Sequence, residues 1–322
     1  MSQLTHRSRV VALSGGIGGA KLVLGLSRVM DPASLLVIAN TGDDFEHLGL
    51  SISPDLDTLL YTLAGINEPL RGWGRRDETW TFMSALAQLS PDTWFRLGDG
   101  DLAIHIERTR RLRSGEALSD ILADFCRCLG VVTRLVPMTD DPVRTRVHTP
   151  DGWLDFQDYF VRRGCAPPVL EVAYDGAARA RPHPLVLASL RDPQLRAVII
   201  CPSNPHLSIA PILAIPGLRD AIAACGAPVI AVSPIVDGQA IKGPTAKIMS
   251  ELGEEVSAAG VARHYGDLLD GYVLDHVDTA RAPGLGVPAI SARTVMHTVE
   301  DRIELASQVL DFADALARTS ST

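Results

Sequence analysis

The chain has 322 residues, enough for one large α/β domain or two ordinary ones, and aromatics are only 5% of it, so its core is aliphatic. With 30 Lys and Arg against 38 Asp and Glu, the net charge of -8 and pI near 5.6 argue against a nucleic-acid partner, which needs a basic face. No hydrophobic leader and no run of about 18 apolar residues is present, which predicts a cytoplasmic protein with no membrane partner. The five cysteines, Cys126, Cys128, Cys165, Cys201 and Cys225, contain no C-x-x-C pair, which gives neither a structural zinc site nor a disulfide framework.

The first predicted strand, Val10 to Leu13, runs into Ser14-Gly15-Gly16-Ile17-Gly18-Gly19-Ala20-Lys21 and then into a helical pattern from Leu22 to Met30. A strand, a glycine turn and a helix start make a phosphate seat, because the turn brings backbone N–H groups and the positive end of the helix close to an oxyanion. The wording fits neither common signature. A P-loop ends in Gly-Lys-Ser/Thr where Ala20-Lys21-Leu22 stands, and a dinucleotide fingerprint needs a third glycine where Lys21 stands. The four glycines equally suit a tight turn with no ligand.

The second strand, Leu35 to Ala39, ends in Asn40-Thr41-Gly42-Asp43-Asp44, and Ser53-Pro54-Asp55-Leu56-Asp57-Thr58 follows shortly after. In an open parallel sheet the ends of adjacent strands border one ligand crevice, so four carboxylates converge near the glycine turn. Such crowding is repulsive unless a cation intervenes, and oxygen ligands beside a phosphorylated substrate suit Mg²⁺. The plainer reading is that Asp55 and Asp57 cap a helix starting near Leu59 and that Asp43 and Asp44 form a turn.

From about residue 67 to 190 the alternation changes, which predicts an insertion. It carries the Arg-rich stretch around Trp73, helical patterns over Thr79 to Leu89 and Leu118 to Leu129, and His105 on a further helical pattern. Trp73 among arginines suits a flat or acidic ligand, and His105 is either a general base or a structural histidine. Arg144 to His148 and Trp153 to Asp158 flank Pro150-Asp151-Gly152 as a hairpin, with Val169 to Tyr174 as a third strand. Arg179 to Pro184 marks the return to the sheet.

Three more strands, Ala197 to Cys201, Val229 to Val232 and Tyr272 to Leu274, alternate with helical patterns over Ile209 to Ala224, Thr245 to Leu252 and Glu304 to Ala317. Two of these strands end in loops suited to hold a nucleotide: Pro202-Ser203-Asn204-Pro205, and Ser233-Pro234 with Lys242 shortly after. The predicted fold is α/β: a doubly wound, mostly parallel Rossmann-like sheet from 1–66 and 191–322, with a helical and small β subdomain inserted at 67–190. The closing Thr-Ser-Ser-Thr run reads as a frayed terminus.

Taken together, the stretches SGGIGGAK, NTGDD, SPDLDTLLYTLAG, RGWGRRDETW, LGDGDLAIHIERT, PMTDDPVRT, FQDYF, PSNPHLSIAPILAIPG and VSPIVDGQAIKGPTAK resemble the 2-phospho-L-lactate transferases of coenzyme F420 biosynthesis, the CofD or FbiA family. The resemblance runs from the first strand to about Asp278. It implies a Mg²⁺-dependent transfer of a phosphorylated three-carbon acid, phospholactyl or phosphoenolpyruvyl, from a guanosine diphosphate-linked donor to the ribityl hydroxyl of the deazaflavin Fo, releasing GMP. It further implies that Gly15, Gly16, Gly18 and Gly19 seat the diphosphate and that the loops with Ser203, Asn204, Pro205, Ser233 and Pro234 hold the nucleotide. Lys21 and Lys242 are candidate phosphate contacts, and Trp73 is a candidate wall for the deazaflavin. Asp43 and Asp57 match the metal-associated residues, with Asp44 and Asp55 as adjacent catalytic candidates, and a homodimer is the implied assembly. Two other readings remain: a non-catalytic nucleotide-sensing regulatory protein of the related GGxGG fold, and a dinucleotide-dependent oxidoreductase. The insertion motifs speak against the first and the missing third glycine against the second.

Overall fold

A computed structural model describes residues 8–319, apart from the side chains of 281–283; the last three residues of the predicted frayed terminus lie outside this range. Seven strands form the central sheet: β1 (Arg9–Ser14), β2 (Leu35–Ala39), β3 (Arg134–Pro137), β4 (Leu195–Ile200), β5 (Val229–Val232), β6 (Gly271–Asp275) and β7 (Ala289–Ala292). Their order is β7-β6-β5-β4-β1-β2-β3, and every pairing is parallel. The strand order therefore reverses between β1 and β4, and a crevice opens outside their carboxyl ends.

The sheet is covered on both faces, so its central strands carry continuous apolar runs, Val10–Leu13 and Ala197–Ile200, instead of alternating. Val10 and Ala12 of β1 point to one layer, where they meet Leu22 and Leu26 of α1 (Gly16–Val29), Leu56 and Leu59 of α2 (Pro54–Ala64), and Leu305 and Val309 of the last helix, Val299–Thr319. Val11 and Leu13 point the other way, into a core with Val186, Ile212, Ile222, Val261 and Tyr265. The doubly wound α/β architecture is thus present as expected.

Several element boundaries differ from the expectations. The helix anticipated over Ile209 to Ala224 is broken into a wide turn, Pro205–Ile209, and two short helices, Ala210–Leu213 and Leu218–Ala223. Pro216 and Gly217, the latter at φ +76°, interrupt it. The helix at Thr79 to Leu89 shrinks to α3 (Thr81–Leu86), and α4 (Asp99–Arg113) carries His105. Two edge strands, β3 and β7, had not been foreseen. β3 and the helix Leu118–Cys128 fall inside 67–190, yet both pack into the sheet's core through Ile121, Leu122, Phe125 and Leu135. What stands off the sheet is therefore two stretches rather than one: that around α3 and α4, and a three-stranded antiparallel element. In the latter, Arg144–Thr149 lies between Gly152–Asp155 and Glu171–Asp175.

Candidate active site

The glycine turn sits at the carboxyl end of β1, clamped from two sides. Gly16 takes φ +64°, and its N–H donates to Asp55 Oδ1 at 2.6 Å. The Gly15 N–H donates to Ser203 Oγ at 3.2 Å, and that hydroxyl donates back to the Gly15 carbonyl at 2.8 Å. A Cβ on Gly15 would overlap Asp55 and Ser208, one on Gly18 the Pro202 carbonyl oxygen, and one on Gly19 the hydroxyls of Ser14 and Ser203. The glycines are therefore required by close packing between α1, the 202–204 loop and Asp55, and the first free amide of α1 is spent on a carboxylate within the chain.

The four acids divide into two sets. Asp43 and Asp55 share one amide: Asn40 Nδ2 donates to Asp55 Oδ2 at 2.9 Å and to Asp43 Oδ1 at 3.3 Å, and also to the Leu207 carbonyl at 3.2 Å. Burial, reinforced by the charges of Asp55 and Asp44, raises the Asp43 carboxyl well above the ordinary carboxylate range. Burial likewise pushes Asp55 up to about 6 against the hydrogen bonds from Asn40 and Gly16. Among the described residues no ion pair reaches either acid, so the buried pair resists ionising together and has no side-chain cation of its own. This is a donor set that fits a hard divalent cation.

Asp44 and Asp57 belong to the second set. Asp57 faces the guanidinium of Arg108 with both oxygens, Nη1 at 3.1 Å from Oδ2 and Nη2 against Oδ1, and both residues are buried. Asp44 accepts from Ser53 Oγ at 2.9 Å, while its other oxygen is buried without a hydrogen bond. Burial pushes Asp44 up to about 7, opposed by the charges of Arg144 and Arg108. Of the two acids expected to serve a metal, Asp57 is thus paired with Arg108, while Asp43 shares the Asn40 amide with Asp55. Nor do Asp55 and Asp57 cap a helix beginning near Leu59: α2 starts at Pro54, and both lie in its first turn.

A chain of polar contacts leads away from Asp57. His105 Nδ1 lies 3.7 Å from Asp57 Oδ2 and its Nε2 lies 3.2 Å from Asp101 Oδ2, while the Tyr61 hydroxyl donates to Asp101. Burial would raise the Asp101 carboxyl, but His105, Tyr61 and Arg108 together hold it below its ordinary value. The same burial, with the charges of Asp57 and Asp101, raises the Tyr61 phenol well above its usual range.

Asp43, Asp55, Asp57, Tyr61, Asp101 and His105 line one cavity of about 540 Å³. Of the residues expected at the site, Gly15, Gly16, Gly18, Lys21, Asp43, Asp55, Asp57, Trp73, Ser203, Asn204, Ser233, Pro234 and Lys242 line it. Gly19, Asp44 and Pro205 do not; they pack behind the wall. Lys21 Nζ donates to the Met296 carbonyl at 2.6 Å, and burial, then the charges of Arg302 and Lys242, lowers its pKa. Lys242 Nζ donates to the Arg71 carbonyl at 3.1 Å, which ties the Trp73 loop to the loop that follows β5.

The wall has members that the sequence reading did not place. Trp94, Phe95, Phe156 and Phe160 give the lining an aromatic part, and Thr294, Val295 and Met296 enter after β7. Phe95 packs edge-on against Phe45, with ring centroids 4.8 Å apart, and Phe156 stacks on Phe160 at 5.3 Å. The aromatic character of Trp94-Phe95 was legible; its distance in sequence from the glycine turn hid its place. Arg108 carried no signal, since buried arginines look like any other in a charged helix.

The profile of the 2-phospho-L-lactate transferase CofD family matches residues 10–286. The chain belongs to this family. A phosphoenolpyruvate transferase of Streptomyces coelicolor is 41% identical over 95% of this chain and 98% of its own length, and that of Thermobifida fusca is 41% identical over 97% and 100%. The 2-phospho-L-lactate transferase of Methanocaldococcus jannaschii is 36% identical over 95% and 99%. A crystal structure of a UPF0052 family member from Bacillus halodurans superposes with TM-score 0.64 at 16% identity, covering 94% of this chain and 99% of that one, which supports the fold. The CofD-family chain is accordingly an enzyme, a phospho-acid transferase of coenzyme F420 biosynthesis. No helix among its described residues is long and apolar enough to cross a membrane.

Proposed function

We propose that this CofD-family transferase moves a phosphoenolpyruvyl group from a guanosine diphosphate-linked donor to the ribityl hydroxyl of Fo, with release of GMP. The observation that carries this reading is one cavity at the switch point whose lining holds the buried Asp43–Asp55 pair, the glycine turn and several aromatic side chains. A charged, phosphate-bearing half and a flat, apolar half suit a donor and a deazaflavin acceptor, respectively. The phosphoenolpyruvyl choice over phospholactyl rests on the higher identity to relatives named phosphoenolpyruvate transferases.

The step is an in-line displacement. The acceptor hydroxyl forms a bond to the phosphorus that bears the three-carbon acid, the bond from that phosphorus to the bridging oxygen breaks, and GMP leaves with the bonding pair. Mg²⁺ held by Asp43 and Asp55 would neutralise phosphate charge as it develops. The chain's own contribution is alignment and charge. Gly15 to Gly18 bring backbone to the donor, Lys21 and Lys242 add positive charge on the same side, and the hydroxyl proton leaves to water in the cavity. Trp73, Trp94 and Phe95 present faces for the acceptor ring.

The test is a reaction of purified protein with Mg²⁺, Fo and either guanylylated phosphoenolpyruvate or guanylylated phospholactate, read by GMP release and product mass. The expected product carries phosphoenolpyruvyl on Fo. GMP release without a change in Fo would overturn the acceptor, and exclusive use of phospholactate would overturn the donor.

A further inference from the structure

We propose that the protein carries a second, transition-metal site of the Zn²⁺ class, formed by His206, Glu254 and His264 on the far side of the nucleotide-side loop from the cavity. One ligand atom from each lies within 4.8 Å of the other two. His206 Nε2 is 3.0 Å from Glu254 Oε2, and His264 Nδ1 is 3.4 Å from Oε1 of the same carboxylate. The two rings meet edge-on with centroids 4.4 Å apart, so both nitrogens aim at one small volume.

The chemistry fits zinc better than magnesium. Two imidazoles and one carboxylate are a borderline nitrogen-rich set, whereas Mg²⁺ takes oxygen. Zn–N and Zn–O bonds of about 2.0–2.2 Å set tetrahedral ligand atoms roughly 3.4 Å apart, which the two contacts to Glu254 already approach. His206 is buried, while the side chains of His264 and Glu254 are 19% and 31% exposed, so water can reach a fourth position. None of the three residues touches the Asp43–Asp55 pair.

The placement gives the site a consequence. His206 stands between Asn204 and Leu207, both on the cavity wall; Asn204 Oδ1 accepts from the backbone N–H of His206 and of Leu207. Glu254 comes from the loop that follows the helix Thr245–Glu251, and His264 from the helix Ala258–Tyr265. A bound ion would pin the 202–209 loop to these helices.

The experiment uses the full chain, stripped with a chelator and then titrated with ZnCl₂ against a chromogenic competitor and with CoCl₂ alone. One tight Zn²⁺ equivalent is expected, with the strong visible bands of tetrahedral Co²⁺, and both persist in the Asp43→Asn, Asp55→Asn double variant. His264→Gln and Glu254→Gln should weaken Zn²⁺ by at least about 100-fold, since loss of an outer-shell partner alone costs roughly 10–100-fold. X-ray absorption of the Zn-loaded wild type, which needs no variant, should show two imidazole nitrogens. Absence of a tight equivalent, its survival in both single variants, its loss in the double variant, or an all-oxygen shell would each overturn the site.

Discussion

Asp57 and Arg108, 51 residues apart, form a buried ion pair in which each carboxylate oxygen faces a guanidinium nitrogen. The pair locks α4 to the first turn of α2, and so fixes the floor of the cavity. Breaking it from either side strands a charge in a site with little water, and such losses cost about 3–5 kcal/mol. Arg108→Gln and Asp57→Asn are both expected to lower unfolding free energy by that order in urea denaturation, along with turnover. An Asp57→Asn variant that loses activity at unchanged stability would instead mark Asp57 as a metal or substrate ligand.

The buried acids give stability a definite pH dependence. Asp44 near 7 and Asp55 near 6, with Asp43 also raised, all exceed their ordinary 3.8, so the folded state holds protons that the unfolded chain has released. The contribution of Asp55 and Asp44 is complete below about pH 4 and is lost as pH rises through about 6 to 7, and that of Asp43 is lost in the same direction. Tm should therefore fall from pH 5 to pH 8, and Asp44→Asn should recover part of the fall at pH 8 while changing little at pH 5. Mg²⁺ should raise Tm at pH 8 more than at pH 5, because only ionised Asp43 and Asp55 hold it, and Asp43→Asn should abolish that increment in thermal scans.

Gly18 tests why the turn is made of glycine. Its missing Cβ makes room for the Pro202 carbonyl oxygen, a backbone atom that cannot swing aside. Gly18→Ala is expected to cost about 1–3 kcal/mol as overpacking and to reduce kcat/KM by moving the 202–204 loop. Equal loss of activity without loss of stability, measured by thermal unfolding and steady-state kinetics, would point to a ligand contact instead.

Trp73 is 46% exposed and lies over the cavity mouth, with the Arg71 guanidinium 5.1 Å from its ring. Its truncation removes contact area for an acceptor and little of the core. Trp73→Ala should raise the acceptor KM by roughly 5- to 30-fold, the equivalent of about 1–2 kcal/mol of ring stacking, with Tm and the donor KM near wild type. An unchanged acceptor KM would move the deazaflavin to the Trp94–Phe95 side of the wall.

Much of this protein is written locally. The strands around Val10 to Leu13, Leu35 to Ala39 and Ala197 to Cys201 are legible because burial on both faces demands unbroken apolar runs, and the glycine turn and acid clusters are legible because they follow such strands directly. The edge strands escaped notice for the converse reason: Arg134 is exposed in β3, and most of β7 is only half-buried, so neither leaves a continuous apolar run. Tertiary structure decided the rest. What Gly18 packs against, which acid shares the Asn40 amide with Asp43, and whether His206 meets Glu254 and His264 all depend on contacts between residues distant in sequence. Charge pairing and close packing act through space, and a residue's type records that it can make such a contact, while only the fold selects its partner.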